Sequence, residues 1–104
     1  MEPPVNAKAA LLQALISGSG YGLELIDRVA EKTQGQIRLH QGSVYPALRS
    51  LEREGLIGSY RGDPLPERGG RPRRYYKLTA EGYRVATQQQ ETALRLFEPL
   101  PMTP

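Results

Sequence analysis

The sequence predicts a mainly α-helical protein with one small β-hairpin. Apolar residues recur at helical spacing in three segments that end before Gly55. Two strand-like segments, 56–61 and 73–78, then flank a loop rich in Gly, Pro and Arg. A last helical segment starts at Thr79 and meets no break before Pro99. This order is typical of a winged helix-turn-helix followed by one further helix.

Length and composition limit the organisation of the chain. With 104 residues and 38% hydrophobic content, it can bury one modest core, and chains of this size often gain burial from a partner subunit. We therefore expect one winged domain over residues 5–78, a dimerisation helix over 79–98, and flexible tails at 1–4 and 99–104.

The composition also excludes several kinds of site. The chain has no cysteine and a single histidine, His40, so we expect no metal site and no cofactor. It offers no combination of nucleophile, base and orienting group, so we expect no catalytic residue and no enzyme. No apolar run approaches the roughly 18 residues that span a bilayer, and no signal peptide is visible, which predicts a cytoplasmic protein without a membrane partner.

The first two helices have recognisable ends. Asn6 can cap a helix over residues 6–17, which a Ser- and Gly-rich break over 17–20 ends. A second helix starts near Tyr21 and runs to Gly35. Residues 37–39 then alternate apolar and basic and are expected to add a short strand to the edge of the hairpin.

The third helix carries two different faces. Val44, Leu48 and Leu51 form an apolar stripe, and the other side is small, polar and basic. Ser43 is expected to cap this helix, with Pro46 in its first turn. A basic outward face suits the major groove of DNA, and the alternative is an ordinary solvated helix face.

The basic charge of the chain is concentrated in the hairpin. Segment 61–77 holds six basic residues against two acidic ones, a net of +4, although the whole chain carries only +3. Arginines of this segment, Arg68 among them, are therefore expected to contact the DNA backbone or minor groove.

The last helix has an apolar end that extends beyond the winged domain. Leu94, Phe97 and Leu100 would be exposed in a monomer, so we expect a dimer interface here rather than packing against the same domain.

Three segments, 19–25, 41–57 and 69–82, resemble the PadR-like family of transcriptional regulators in order and spacing. The middle segment has the most specific motif, Gly-Ser-Val-Tyr-Pro-Ala-Leu, and the resemblance covers about residues 8–85. It implies a cytoplasmic, dimeric, operator-binding protein, usually a repressor. The single helix after the hairpin resembles the smaller subgroup, which dimerises through that helix and the first helix, here with Leu12.

The resemblance also implies which residues touch DNA. The contacts carried over are Gln41, Ser43, Tyr45, Pro46 and Arg49 on the third helix, Arg71 and Arg73 in the hairpin, and Lys8 and Tyr21 on phosphates. For Tyr45 a second role stays open, which is to fill the gap between the third helix and the hairpin.

The sequence thus predicts a homodimeric repressor that binds a pseudo-palindromic double-stranded operator and is released by an effector. Some small members of the family bind flat aromatic molecules between tryptophans of the last helix. This chain has no tryptophan, so the class of any small-molecule effector stays open. The alternative function is a winged-helix module that contacts another protein.

Overall fold

The computed structural model describes residues 6–64 and 72–98. The expected tails, together with Arg68, Arg71 and Leu100, lie outside the described residues. The elements are α1 (Ala7–Ile16), β1 (Gly20–Tyr21), α2 (Gly22–Lys32), α3 (Gln41–Arg53), β2 (Ile57–Pro64), β3 (Pro72–Leu78) and α4 (Ala80–Leu96). This arrangement confirms the predicted fold class. The hairpin of β2, β3 and their connecting loop is called the wing below.

The sheet has three antiparallel strands in the order β1, β3, β2. Tyr75 of the central strand is paired with Tyr21 on one side and Tyr60 on the other. The prediction that residues 37–39 form the edge strand was wrong, because β1 occupies that edge. Ile37 is only 7% exposed and belongs to the core, so its segment packs inward rather than beside the sheet.

One hydrophobic core joins the four helices and the inner face of the sheet. Its largest fully buried side chains come from α1, α2 and α3, and the sheet and α4 add Ile57, Tyr76 and Ala86. The largest fully buried side chains are Leu11, Leu12, Leu25, Val44, Leu48 and Leu51. Because the buried side chains of α3 belong to this core, packing in the core determines the orientation of the helix. The exposed residues of α3 do not take part in that packing.

The first two helices have ends close to the expected ones. The Asn6 side chain accepts a hydrogen bond from the Ala9 amide at 2.8 Å, which confirms the predicted cap. Helix α2 ends at Lys32, three residues before the expected Gly35. Gly35 has a φ of +81° and donates its amide hydrogen bond to the Ala30 carbonyl, so it takes part in the turn that leaves the helix.

The start of α3 differs from the prediction. The helix begins at Gln41 rather than at Ser43, whose hydroxyl instead donates to the His40 carbonyl at 3.0 Å. The capping role expected of Ser43 was therefore wrong. Pro46 consequently lies in the second turn, where its missing N–H leaves the Gly42 carbonyl without a helical donor. Both residues are exposed, so water can bond that carbonyl.

The end of α3 is connected to the start of α4. Gly55 has a φ of +77°, and the amides of Gly55 and Leu56 donate to carbonyls of the last helical turn, which confirms the predicted stop. The Thr79 hydroxyl accepts from the Gly82 amide at 3.0 Å and donates to the Gly55 carbonyl at 2.7 Å. The predicted cap of the last helix is confirmed, and the same side chain fastens α4 to the end of α3.

Candidate nucleic-acid interface

Helix α3 has one buried face and one exposed face, as the apolar spacing predicts. Val44, Leu48 and Leu51 are completely buried. The exposed residues of the helix include the five that were expected to contact DNA, Gln41, Ser43, Tyr45, Pro46 and Arg49, together with Gly42 and Arg53. The exposed set contributes no side chain to the core, so it is available for recognition.

The exposed face has a narrow centre and two flanks. Gly42, Pro46, Arg49 and Arg53 follow each other at spacings of four, three and four, which places them along one line of the helix. Ser43 and Tyr45 lie on opposite sides of this line. Two arginines thus lie beside small groups, an arrangement that allows close approach to a groove edge. Gly42 was not among the expected contacts, because glycine has no side chain that could indicate a contact with DNA.

A cleft of about 290 Å³ separates α3 from the start of α2 and from β3. We call it the tyrosine–arginine cleft, and its lining residues are Tyr21, Gly22, Leu23, Tyr45, Arg73, Arg74 and Tyr76. Three of the expected DNA contacts, Tyr21, Tyr45 and Arg73, therefore lie together. Burial raises the pKa of the Tyr76 hydroxyl above its ordinary value, with the Arg74 charge acting in the opposite direction. This hydroxyl stays neutral at pH 7.

Arg73 brings a positive charge into this cleft in an unusual setting. Its guanidinium carbon lies 4.3 Å from the centre of the Tyr21 ring, a cation–π geometry. Its Nε is buried, and within the described part of the chain no group accepts a hydrogen bond from it. A buried donor without a partner is rare in proteins, and a bound anion would satisfy it.

Tyrosine contacts support the wing from its outer face. The Tyr75 ring stacks on Tyr60 with centres 5.6 Å apart and meets the edge of Tyr21 at the same distance. The Tyr60 hydroxyl donates to the Ser19 hydroxyl at 2.9 Å. Tyr76 is buried, and Tyr75 is half-buried because its two neighbours cover it.

A chain of polar contacts links the wing to α3. Arg74 donates to the Ser59 hydroxyl at 2.9 Å, and that hydroxyl donates to the Glu52 carboxylate at 2.6 Å. The three residues belong to β3, β2 and α3, so these hydrogen bonds hold the wing beside the exposed face of the helix. Nothing in the sequence pattern singles out these residues, because the contact depends on how the three elements pack.

Lys8 lies apart from the other expected DNA contacts. Its Nζ is 2.6 Å from the Glu54 carboxylate, at the opposite end of α3 from the tyrosine–arginine cleft. The hydrogen bond from Lys8 lowers the pKa of Glu54 below its ordinary value. Phosphate contact by Lys8 stays a prediction and would require this exposed ion pair to open.

Comparison with known proteins identifies the chain. The model of the transcriptional regulator PadR-like family matches residues 11–88, well over half of the sequence. The chain belongs to the PadR-like family of transcriptional regulators. Since proteins of this family are regulators and not enzymes, the expectation of a non-enzyme is confirmed, and DNA binding is the activity associated with the family.

Solved structures of related proteins have the same fold. A transcriptional regulator from Clostridium thermocellum is 28% identical, with a TM-score of 0.70 over 88% of this chain and 92% of that one. A PadR family regulator from Clostridium difficile is 27% identical, with a TM-score of 0.69 over 88% and 90%. Pex from Synechococcus is 33% identical, with a TM-score of 0.66 over 88% and 87%.

A curated relative from Lysinibacillus sphaericus carries the name Uncharacterized protein X. It is 26% identical over 72 residues, which are 69% of this chain and 63% of the relative. The PadR-like chain thus covers less than two thirds of that relative's length.

The residues expected at the dimer interface of this PadR-like chain lie in two different environments. Leu94 and Phe97, at the end of α4, are 73% and 77% exposed. Leu12 is only 1% exposed, because its side chain fills the core of its own subunit, and its role at an interface stays a prediction. An open groove of about 670 Å³ between α1 and α4 leads to Leu96 and Phe97.

Other kinds of site receive no support from the described residues. Over 6–64 and 72–98, His, Asp and Glu side chains form no group of three that could hold a metal ion. In the same ranges, no helix is both long and apolar enough to span a bilayer.

Proposed function

We propose that this PadR-like chain is a dimeric, sequence-specific DNA-binding repressor. The observation that carries the proposal is the exposed face of α3 beside the tyrosine–arginine cleft, where Arg49, Arg53 and Arg73 provide cations outside the core. Exposed arginines on this face favour DNA over a protein partner, because the phosphates of DNA attract cations. Residues 5–78 form the DNA-binding part in this proposal, and 79–98 form the dimerisation helix.

Helix α3 enters the major groove and reads base edges with Gln41, Ser43 and Arg49, while Pro46 packs against the groove wall. The tyrosine–arginine cleft receives a backbone phosphate, whose oxygens accept hydrogen bonds from Tyr21, Tyr45 and the Arg73 guanidinium. Arg68 and Arg71, which lie outside the described residues, are proposed to contact the adjacent backbone. Lys8 adds a further phosphate contact when its pair with Glu54 opens.

The exposed end of α4 joins two subunits. Leu94, Leu96 and Phe97 are each at least 73% exposed, an apolar patch that a second copy of the helix covers. Leu100, which lies outside the described residues, is proposed as a further contact of this interface. Twofold symmetry then presents two α3 helices to successive major grooves, about 34 Å apart, so the operator is a pseudo-palindrome.

Repression follows from occupation of the promoter, and release follows from a change in the angle between subunits. Because Thr79 fastens α4 to the Gly55 carbonyl at the end of α3, a change in how the two α4 helices cross moves both recognition helices. An effector that binds between the subunits and favours a different crossing prevents simultaneous contact with both half-sites.

A binding titration tests the proposal. Fluorescence anisotropy with the duplex upstream of the protein's own gene, at several salt concentrations and with unrelated competitor duplex, should give tight binding that survives competition. Affinity should fall log-linearly with salt, because bound arginines release counterions from phosphates. Weak binding that is equal for both duplexes would contradict the proposal and favour a winged helix that contacts a protein.

A further inference from the structure

The space beside Gly22 is occupied by the far end of the Tyr45 side chain. A β-carbon placed on Gly22 would lie 2.7 Å from the Tyr45 hydroxyl oxygen and 2.8 Å from Cε1 and Cζ of the ring. These distances are too short for nonbonded atoms. We propose that Gly22 is a positioning residue, which lets the Tyr45 ring lie on the start of α2 and so determines where its hydroxyl meets DNA. This inference rests on the proposed function.

The backbone at Gly22 does not itself require glycine. The glycines with positive φ among the described residues are Gly18, Gly35 and Gly55, and Gly22 is not one of them. It is the first residue of α2, where alanine has the higher helix propensity. What distinguishes the position is the lack of a side chain in front of Tyr45.

The effect of an added methyl group falls on Tyr45 rather than on the fold. The atoms it would meet are at the end of a side chain with two rotatable bonds, so the ring can turn away while α2 and α3 keep their places. Tyr45 is 37% exposed, which leaves room for that movement toward solvent. The displaced hydroxyl would leave the cleft that it shares with Tyr21 and Arg73.

Gly82 provides the opposite case within the same chain. A β-carbon there would meet the backbone carbonyl of Leu56, which cannot turn away. Substitution at Gly82 is therefore expected to affect folding, whereas substitution at Gly22 is expected to affect recognition. An experiment can therefore distinguish a role of Gly22 in DNA recognition from a role in folding.

The test is a double-mutant cycle on full-length protein. Gly22→Ala should keep the thermal midpoint of the wild type and weaken binding to the upstream duplex about tenfold, the loss of one hydrogen bond to a charged group. In a Tyr45→Ala background, the same substitution should change affinity by less than about twofold, because the coupled side chain is already absent. Gly58→Ala is the control, since its β-carbon would meet nothing within 4 Å.

A spectroscopic measurement separates positioning from general disturbance. With tyrosines labelled by carbon-13 at Cζ, Gly22→Ala should shift the resonance of Tyr45, assigned by its loss in Tyr45→Phe, and leave that of Tyr83 on α4 unchanged.

Wild-type affinity of Gly22→Ala for the upstream duplex would overturn the inference, as would an equal loss of affinity in both backgrounds. If the wild type itself shows no preference for the upstream duplex, the proposed function fails, and the inference fails with it.

Discussion

Gly82 of α4 lies against the carbonyl group of Leu56, so closely that a β-carbon on Gly82 would overlap the carbonyl oxygen. The Thr79 amide donates to the same carbonyl at 3.1 Å. The start of α4 is thus fixed to the turn that ends α3 by backbone contacts, which side-chain movement cannot relieve.

Gly82→Ala should lower the free energy of unfolding by about 2–3 kcal/mol, because the added methyl group forces two backbone segments apart. Urea denaturation followed by circular dichroism measures this change. Gly42→Ala is the matched control, since it adds a methyl group to a helical glycine with nothing within 4 Å and should not destabilise the fold. Equal midpoints for Gly82→Ala and the wild type would show that the contact is looser than described.

Arg49→Ala should weaken binding to the upstream duplex by about 1–3 kcal/mol if Arg49 reads a base edge. If Arg49 touches only phosphate, the loss of affinity should be the same for all DNA sequences. The slope of log affinity against log salt concentration should then become shallower by about one released counterion. The matched control is Arg84→Ala, which removes the same charge from α4, where Arg84 pairs with Glu81. Arg49 would be absent from the interface if both variants bound as tightly as the wild type.

Phe97→Asp should convert the dimer to monomers, because it places a charge in an apolar patch that association would bury. Sedimentation velocity at several protein concentrations measures the dissociation constant, which should rise by at least about tenfold. Ala80→Asp adds the same charge at the other end of α4, where an acidic residue suits the helix start, and should stay dimeric. A Phe97→Asp variant that sediments as a dimer would rule out this patch as the interface.

Lys8→Ala should raise the pKa of Glu54 toward 4.5, because the hydrogen bond from Lys8 is the largest cause of its lowered value. The folded pKa lies below the unfolded one, so the ion pair stabilises the fold above pH 4.5, and this contribution is lost as the pH falls through the folded pKa. A carbon-13 titration of the side-chain carboxyl groups measures the shift. The pKa of Glu81, lowered by Arg84, should stay unchanged in the same variant. An unmoved Glu54 would mean that Lys8 does not hold this carboxylate.

Much of the fold can be read from the sequence because its signals are local. Asn6 and Thr79 cap their helices with hydrogen bonds to amides three residues ahead, and Gly55 ends α3 within one turn. The apolar spacing of α3 likewise identifies its buried face, since Val44 and Leu48 are neighbours on the helix itself. Each of these features is decided within a few residues of chain.

The errors come from features that distant parts of the chain decide. Strand β1 has only two residues, and it forms because Tyr21 pairs with Tyr75, more than fifty positions later. Leu12 is covered by other elements of its own subunit, which its position in the sequence does not reveal. The tyrosine–arginine cleft has the same character, because residues 21, 45 and 73 meet only when α2, α3 and β3 pack together.

The division of α3 into a buried and an exposed face has a consequence for engineering. Buried residues that support folding and exposed residues proposed to read the operator alternate along one helix of thirteen residues. No residue belongs to both sets. Libraries randomised at Gln41, Ser43 and Arg49 should therefore yield folded proteins, from which new operator preferences can be selected without redesign of the scaffold.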